Sequence, residues 1–218
     1  MPTSMTFDSL VQDLQEYLER GTASDTEVLD QIPRLINLAE RAITNKLKIQ
    51  GFLTPLLTTL VAGTSVYAKP DRWRQTVSMN YGTGTDQNTR SVLLARSYDY
   101  CRAYWPNSST IDATQPPLYY ADYDYAHWLV VPTPPINYPW EINIYQMPAL
   151  LDSTNQTNWL TNYAPNLLLY RALLEMTPFL KDDERIPTWQ AMYKEQLDDL
   201  DLQDLQKVVD RDSVRSKA

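Results

Sequence analysis

The sequence predicts an α+β chain: a helical bundle built from N- and C-terminal helices, with an inserted antiparallel β-domain. Three observations carry that prediction. Apolar residues recur at helical spacing near both ends. Between them, short alternating runs are punctuated by Pro, Gly and Asp. The middle also has its own composition: residues 98–145 hold 12 of the 24 aromatic residues, and 106–148 hold 8 of the 15 prolines. The expected division is 1–51 with 157–201 as the bundle, 52–156 as the β-rich insert and 202–218 as a C-terminal tail.

Phe7, Leu10, Val11, Leu14, Tyr17 and Leu18 share one helix face, with Gly21 as the stop. Ser24 and Glu27 form a capping-box pattern ahead of Val28, Leu29 and Ile32. Pro33 cannot sit inside a helix, so a short helix should precede it and a longer one begin there. Leu35, Leu38, Ala39, Ala42, Ile43 and Leu47 give the longer helix its stripe, and Gly51 is the expected end. Residues 54–68, rich in Thr, Val and Leu, read as extended. Residues 72–81 alternate, with Trp73, Gln75, Val77 and Met79 on one side. Gly82, Thr83, Gly84, Thr85 and Asp86 form a turn to a strand near 90–95, which makes a hairpin. Residues 97–104 read as a short helix stopped by Pro106. Residues 118–124, 127–131 and 140–145 read as three further strands, the second ended by Pro132, Pro134 and Pro135.

Helical spacing returns at Trp159 and Leu160, and Pro165 suits a first helical turn. Leu167, Leu168, Tyr170, Arg171, Leu173, Leu174 and Met176 cover nearly all sides of the next helix, which should therefore be central. Pro178 closes it, and 181–185 is a solvated connection. Pro187 opens the last helix, whose face is Trp189, Met192, Tyr193, Leu197 and Leu200. Leu205 and Val209 fall out of that register. A bend near Asp201, or a second face for a second partner, accounts for the phase change.

Composition leaves little for chemistry. The 218 residues include one His, one Cys and five Gly, and the net charge is −8. Cys101 has no disulfide partner, zinc patterns cannot be assembled, and its plain reading is a small buried residue. The acidic balance lacks the cationic footprint that tight nucleic-acid binding draws on. No basic segment followed by an apolar one opens the chain, and no apolar stretch is long enough to span a bilayer. Expectations are therefore no membrane anchor and a soluble protein made in the cytoplasm. His127 lacks the setting of a Ser-His-Asp site, and no G-x-S-x-G is present. The Asp run 198–204 lacks calcium-loop spacing and reads as the wet side of a helix. Asp112, Asp122, Asp124 and Glu141 could form a carboxylate pair only by accident of the fold. The chain is expected to be no enzyme, with no catalytic residue, metal or cofactor.

What remains is surface. Tyr119, Tyr120, Tyr123, Tyr125, Trp128, Tyr138 and Trp140 supply rigid contact area with polar tips, as interfaces do. They could equally line the core of a small β-domain, and alternate strand faces permit both.

The order of segments carries a resemblance. Asp25-Thr26-Glu27-Val28-Leu29 and 32–42 come first, then Trp128-Leu129-Val130-Val131-Pro132-Thr133-Pro134. Strand 142–145 leads through Met147-Pro148 and Leu150 to Asn158-Trp159-Leu160. Ala164-Pro165-Asn166-Leu167-Leu168-Leu169-Tyr170, Ala172-Leu173-Leu174-Glu175, Pro178-Phe179-Leu180, Trp189 and Tyr193 follow. Over residues 7–200 this resembles the head-to-tail adaptor (connector) family of short-tailed bacteriophages, which includes the tail tubular A-type proteins. The resemblance implies a non-enzymatic virion protein at the head–tail junction, made in the host bacterium. It implies a homo-oligomeric ring, usually of twelve copies, between the portal protein and the tail nozzle protein. The helices would surround a channel through which double-stranded DNA passes without sequence-specific binding. The insert would meet the nozzle, neighbouring copies or tail fibres, and the C-terminal segment would dock on the portal. The candidate portal face is then Leu202, Leu205, Val208, Val209, Arg211, Val214 and Arg215. The candidate tail or inter-subunit face is Tyr119, Tyr120, Tyr123, Tyr125, Tyr138 and Trp140. The rival reading is a tail-fibre or carbohydrate-binding module built on the same aromatic residues; it explains the middle but not the paired helical ends.

Overall fold

In the computed structural model, the elements follow the sequence signals closely enough that the departures are informative. The structure describes residues 5–20, 25–83, 89–107, 110–180 and 184–215; for 83, 89 and 204–215 it describes the backbone alone. The chain divides into two units, Met1–Phe52 with Met147–Ala218, and Leu53–Gln146. The fold is mixed α+β.

The first unit is helical. Helix α1 (Phe7–Leu18) starts at Thr6, whose side chain accepts from the Ser9 N–H while Ser9 Oγ accepts from the Thr6 N–H. This reciprocal cap satisfies donors that the first turn leaves open. The helix stops before Gly21, because Glu19 already takes the left-handed conformation (φ 53°). Gly21 and the expected cap Ser24 lie outside the described residues. Helix α2 (Thr26–Leu29) is one turn, and α3 (Ile32–Lys46) follows with Pro33 in its first turn. Gly51 does not end α3, which closes at Lys46. Gly51 lies in the 3₁₀ turn Gln50–Phe52, where a Cβ would overlap the Trp159 indole.

Helix α5 (Trp159–Tyr163) is capped by Asn158, and α6 (Pro165–Glu175) is the centre of the unit. It packs on α1, on α3 and on α7 (Ile186–Arg215). That is why its apolar residues are not confined to a stripe. The expected bend near Asp201 is absent: α7 runs uninterrupted to Arg215. Trp189, Tyr193 and Leu197 are its buried face, whereas Met192 is exposed.

The second unit holds seven strands among the described residues, in the order β1-β7-β3-β4-β5-β6-β2. They are β1 (Leu53–Leu60), β2 (Val66–Ala68), β3 (Trp73–Thr83), β4 (Thr89–Ala95), β5 (Tyr119–Asp122), β6 (His127–Val131) and β7 (Tyr138–Gln146). The β3–β4 pair forms as the hairpin signal predicts, with Gly84, Thr85 and Asp86 of its turn outside the described residues. The antiparallel expectation fails at one pair. Strands β4 and β5 run parallel, because helix α4 (Tyr98–Tyr104) and the loop after it carry the chain back to the starting end of the sheet.

A second departure lies in β3. Register shifts at Trp73/Gln75 and Thr76/Ser78 break the alternation, so Met79 is buried while Val77 is exposed. The sheet is curled. Tyr67 on edge strand β2 meets Trp140 near the opposite edge at 5.0 Å, ring edge to ring face. Its hydroxyl accepts from the Val61 N–H just beyond β1. Inside the curl lies one core, made of Leu60, Met79, Tyr81, Leu93, Trp128, Val130, Tyr138, Trp140, Ile142 and Ile144.

Candidate functional site

Register decides which aromatic residues the second unit can offer to a partner. Leu56, Ile142, Met79 and Leu93 form one row across β1, β7, β3 and β4, and it points inward. The next row, Leu57, Glu141, Asn80 and Val92, points outward. Leu57 is 75% exposed, and Val92 and Leu94 are also exposed. Arg90 and Glu141 form an ion pair on this same face. The outer face of β1-β7-β3-β4 is thus an apolar surface with a charged pair in it.

The six aromatic candidates separate. Tyr138 and Trp140 are 7% and 3% exposed and belong to the core. They are corrected from interface to core, because their side of β7 faces into the curl. Tyr119 and Tyr120 are half-buried on opposite faces of β5: Tyr120 packs on the main core, and Tyr119 packs on a smaller cluster of Cys101, Ala121, Leu129 and Val131. Tyr123 and Tyr125 are exposed, Tyr125 at 84%.

The structure adds residues that composition did not single out. Helix α4, capped by the Ser97 side chain, lies over β5 with Cys101 pointing inward. Burial pushes the Cys101 thiol above its usual range, as suits a packing residue. On one flank of α4, Arg102 lies over the rings of Tyr98 and Tyr123 at 5.5 and 5.9 Å. On the other, Arg96 lies over Tyr100 and Tyr119 at 5.6 and 5.5 Å. Tyr104, 65% exposed, and Trp105 continue that cluster. The sequence does carry a signal for this arrangement: Arg96/Tyr100 and Tyr98/Arg102 are both spaced i, i+4, the first across the start of α4 and the second within it. Tyrosine and arginine held rigid at a surface are the side chains in which binding hot spots are enriched.

The rival use of these rings, stacking on sugars, would fall to the exposed ones, Tyr104, Tyr123 and Tyr125. Trp128 and Trp140 are buried, and one face of Trp73 is taken by Lys69 Nζ, 3.7 Å from the ring centroid. An aromatic cleft of about 300 Å³ is lined by Tyr104, Trp105, Asp112, Gln115, Val131 and Thr133. His127 Nδ1 lies 2.9 Å from both carboxylate oxygens of Asp124 in the β5–β6 turn, and Asp124 also accepts from the Ala126 N–H. These bonds build the turn. Among the described residues, no group of three or more His, Cys, Asp or Glu side chains is placed to hold a metal ion. No described helix is long and apolar enough to cross a membrane.

The chain thus has helical ends and, between them in sequence, a curled sheet with exposed contact surfaces. The family described as SU10 adaptor protein matches residues 5–216. The chain belongs to that family. It is a phage head-to-tail adaptor family, so the adaptor is a structural virion protein. No curated protein matches the chain.

For an adaptor, the C-terminal end of α7 is the second surface of interest. Its backbone stays helical to Arg215. Of the candidate portal residues, Leu202 is 56% exposed. The side chains of Leu205, Val208, Val209, Arg211, Val214 and Arg215 lie outside the described residues. Among the described side chains of α7, the buried ones all precede Asp201.

Proposed function

We propose that the adaptor forms a ring, of twelve copies, which joins the portal protein at the head vertex to the tail nozzle protein and completes the head. The observation that carries this reading is the family match over nearly the whole chain, helices and insert together. In the ring, the N- and C-terminal helices form a bundle around the DNA channel. Most of the negative charge of the chain belongs to that helical unit. Fixed acids repel the DNA backbone, so the polymer can slide past during ejection rather than adhere.

The last part of α7, residues 202–218, docks on the portal. Three features support this role: Leu202 is exposed, the apolar register changes after Leu200, and the described buried side chains of α7, Trp189, Tyr193 and Leu197, lie earlier in the helix. The insert meets the tail or neighbouring copies through surfaces that its core does not use. These are Tyr123 and Tyr125 with the flanks of α4, and the outer face around Leu57 and Val92. The protein is made in the bacterial host and ends at the head–tail junction of the virion. It acts by holding other chains, without catalysis.

The test is to mix the purified chain with the portal protein of the same genome and count bound copies by native mass spectrometry. A fixed complement near twelve is the expected result. A well-assembled portal ring that binds no copies would reject the reading.

A further inference from the structure

Charge is divided unevenly along this chain. Of the net −8, residues 53–146 carry −1, from six basic and seven acidic side chains, and the remainder carries −7. Within the nearly neutral unit, Arg96 and Arg102 are held over tyrosine rings on the two flanks of α4. Neither guanidinium has a carboxylate within ion-pair distance among the described residues. Asp99, the one acid of α4, sits in the first turn, where the helix N-terminus already favours a negative charge.

The complementary feature is on α7. Residues 195–204 contain five acids and no base. Glu195, Asp198 and Asp199 are spaced i, i+3, i+4 and so share one face, which Met192 continues one turn earlier. All four are exposed, on the side of the helix away from Trp189, Tyr193 and Leu197. None of the three acids is ion-paired among the described residues. A Met among acids suits a surface of tyrosine rings and guanidiniums, because thioether–aromatic contacts and charge pairs can form together.

We infer that the contact between neighbouring copies of the adaptor joins these two surfaces: Arg96 and Arg102, on their tyrosines, against Glu195, Asp198 and Asp199 of the next copy. The inference rests on the ring reading and names the faces that meet. Each copy carries one of each face and the faces differ, so the contact is head-to-tail, the type of interface that closes into rings. Complementary charge fixes register and excludes wrong pairings more than it adds raw affinity. Free chains should therefore associate weakly, and less as salt rises.

The test uses two charge-reversed full-length variants, Arg96→Glu/Arg102→Glu and Asp198→Lys/Asp199→Lys. Asp198 and Asp199 are exposed, so that variant should melt as the wild-type chain does; Arg96 is exposed and Arg102 half-buried over their tyrosines, so the arginine variant should stay folded but melt somewhat lower. Each alone sets like charges across the contact, whereas an equimolar mixture restores opposite charges at every junction. Self-association of the free chains is read by sedimentation at low salt, and loading on the portal ring by native mass spectrometry. The expected result is at least a tenfold weaker association for each variant alone, about 1.4 kcal/mol, with recovery in the mixture. Unchanged association of either variant alone overturns the inference. A mixture no better than its components, in free solution and on the portal, also overturns it and assigns the Arg/Tyr surface to a different protein. Failure of the wild-type chain to load the portal rejects the adaptor reading separately, since the free-chain comparison remains readable without it.

Discussion

Glu40 Oε1 accepts a hydrogen bond from Asn158 Nδ2 at 2.5 Å, and this one contact ties the middle of α3 to the cap of α5. The other carboxylate oxygen accepts from the Leu151 N–H at 3.1 Å. Asn158 in turn caps α5 through Leu160 and Thr161 and donates to the Ala149 carbonyl. Gln156 adds a tie to α1, accepting from the Phe7 N–H. A buried acid thus organises the segment in which the chain returns to the helical unit.

Burial raises Glu40 from 4.5 to about 7, against the bonds from Leu151 and Asn158, which favour the charged form. The folded state therefore holds this proton more tightly than the unfolded chain. Its contribution to stability is fully present below about pH 4.5 and is lost as pH rises through about 7. The loss is on the order of 3 kcal/mol. Urea denaturation at pH 5 and pH 8 should show the wild-type chain losing more stability than Glu40→Gln over that interval. The variant should start lower at pH 5, because its amide nitrogen would face one of the two N–H donors. Parallel pH profiles would show that Glu40 does not titrate in this window.

Gly51 is required by contact rather than by helix ending. Gly51→Ala puts a methyl group against the Trp159 indole, which already packs edge-on to Phe52 at 5.2 Å and near Tyr163. Relief needs the indole to move, at a cost of about 1–3 kcal/mol as for other overpacked sites. Thermal denaturation checks this, and Gly51→Ala with Trp159→Phe should recover part of the loss. A Gly51→Ala variant that melts with the wild-type chain would mean that the turn adjusts freely.

These two positions show what the sequence could and could not disclose. Helical spacing and Pro33, Pro165 and Pro187 predicted most helix starts, because those signals are local. Gly51 was misread as a stop, because its real constraint comes from Trp159, more than a hundred residues away. Strand existence was legible, but the face of β7 that carries Tyr138 and Trp140 was not, since a period of two does not say which side is buried. The bulges of β3 and the parallel β4–β5 pair depend on partners that periodicity within one segment cannot contain. For the candidate site, the aromatic composition pointed to the right region. It could not separate Tyr125, exposed in the β5–β6 turn, from Trp140, buried on β7.

That separation gives opposite mutational outcomes. Trp140→Ala opens a cavity in the core of the second unit and should cost about 3–5 kcal/mol. Trp140→Phe should be milder, because the indole N–H has no hydrogen-bond partner to lose. Tyr125→Ala touches an exposed ring and should change stability by no more than about 0.5 kcal/mol. Chemical denaturation orders the three. If Tyr125→Ala is as damaging as Trp140→Ala, the division of this region into core and contact surface is wrong.

The same logic separates folding from docking in α7. Trp189, Tyr193 and Leu197 fix this helix to its unit, and all precede Asp201, while Leu202 is already exposed. Truncation after Asp201 removes no described buried side chain. Helices in proteins are held mainly by their packed face, and the described packed face of α7 is Trp189, Tyr193 and Leu197. The truncated chain should therefore melt within a few degrees of the full-length protein, yet lose binding to the portal ring, read as copies retained in native mass spectrometry. Point changes distinguish the means of attachment. Val208→Asp with Val209→Asp should abolish loading if the end of α7 docks through apolar residues. Arg211→Glu with Arg215→Glu should weaken it only modestly and in a salt-dependent way, because rim ion pairs contribute about 0–1 kcal/mol each. A truncated chain that still loads the portal at full complement would move the docking surface off α7 altogether.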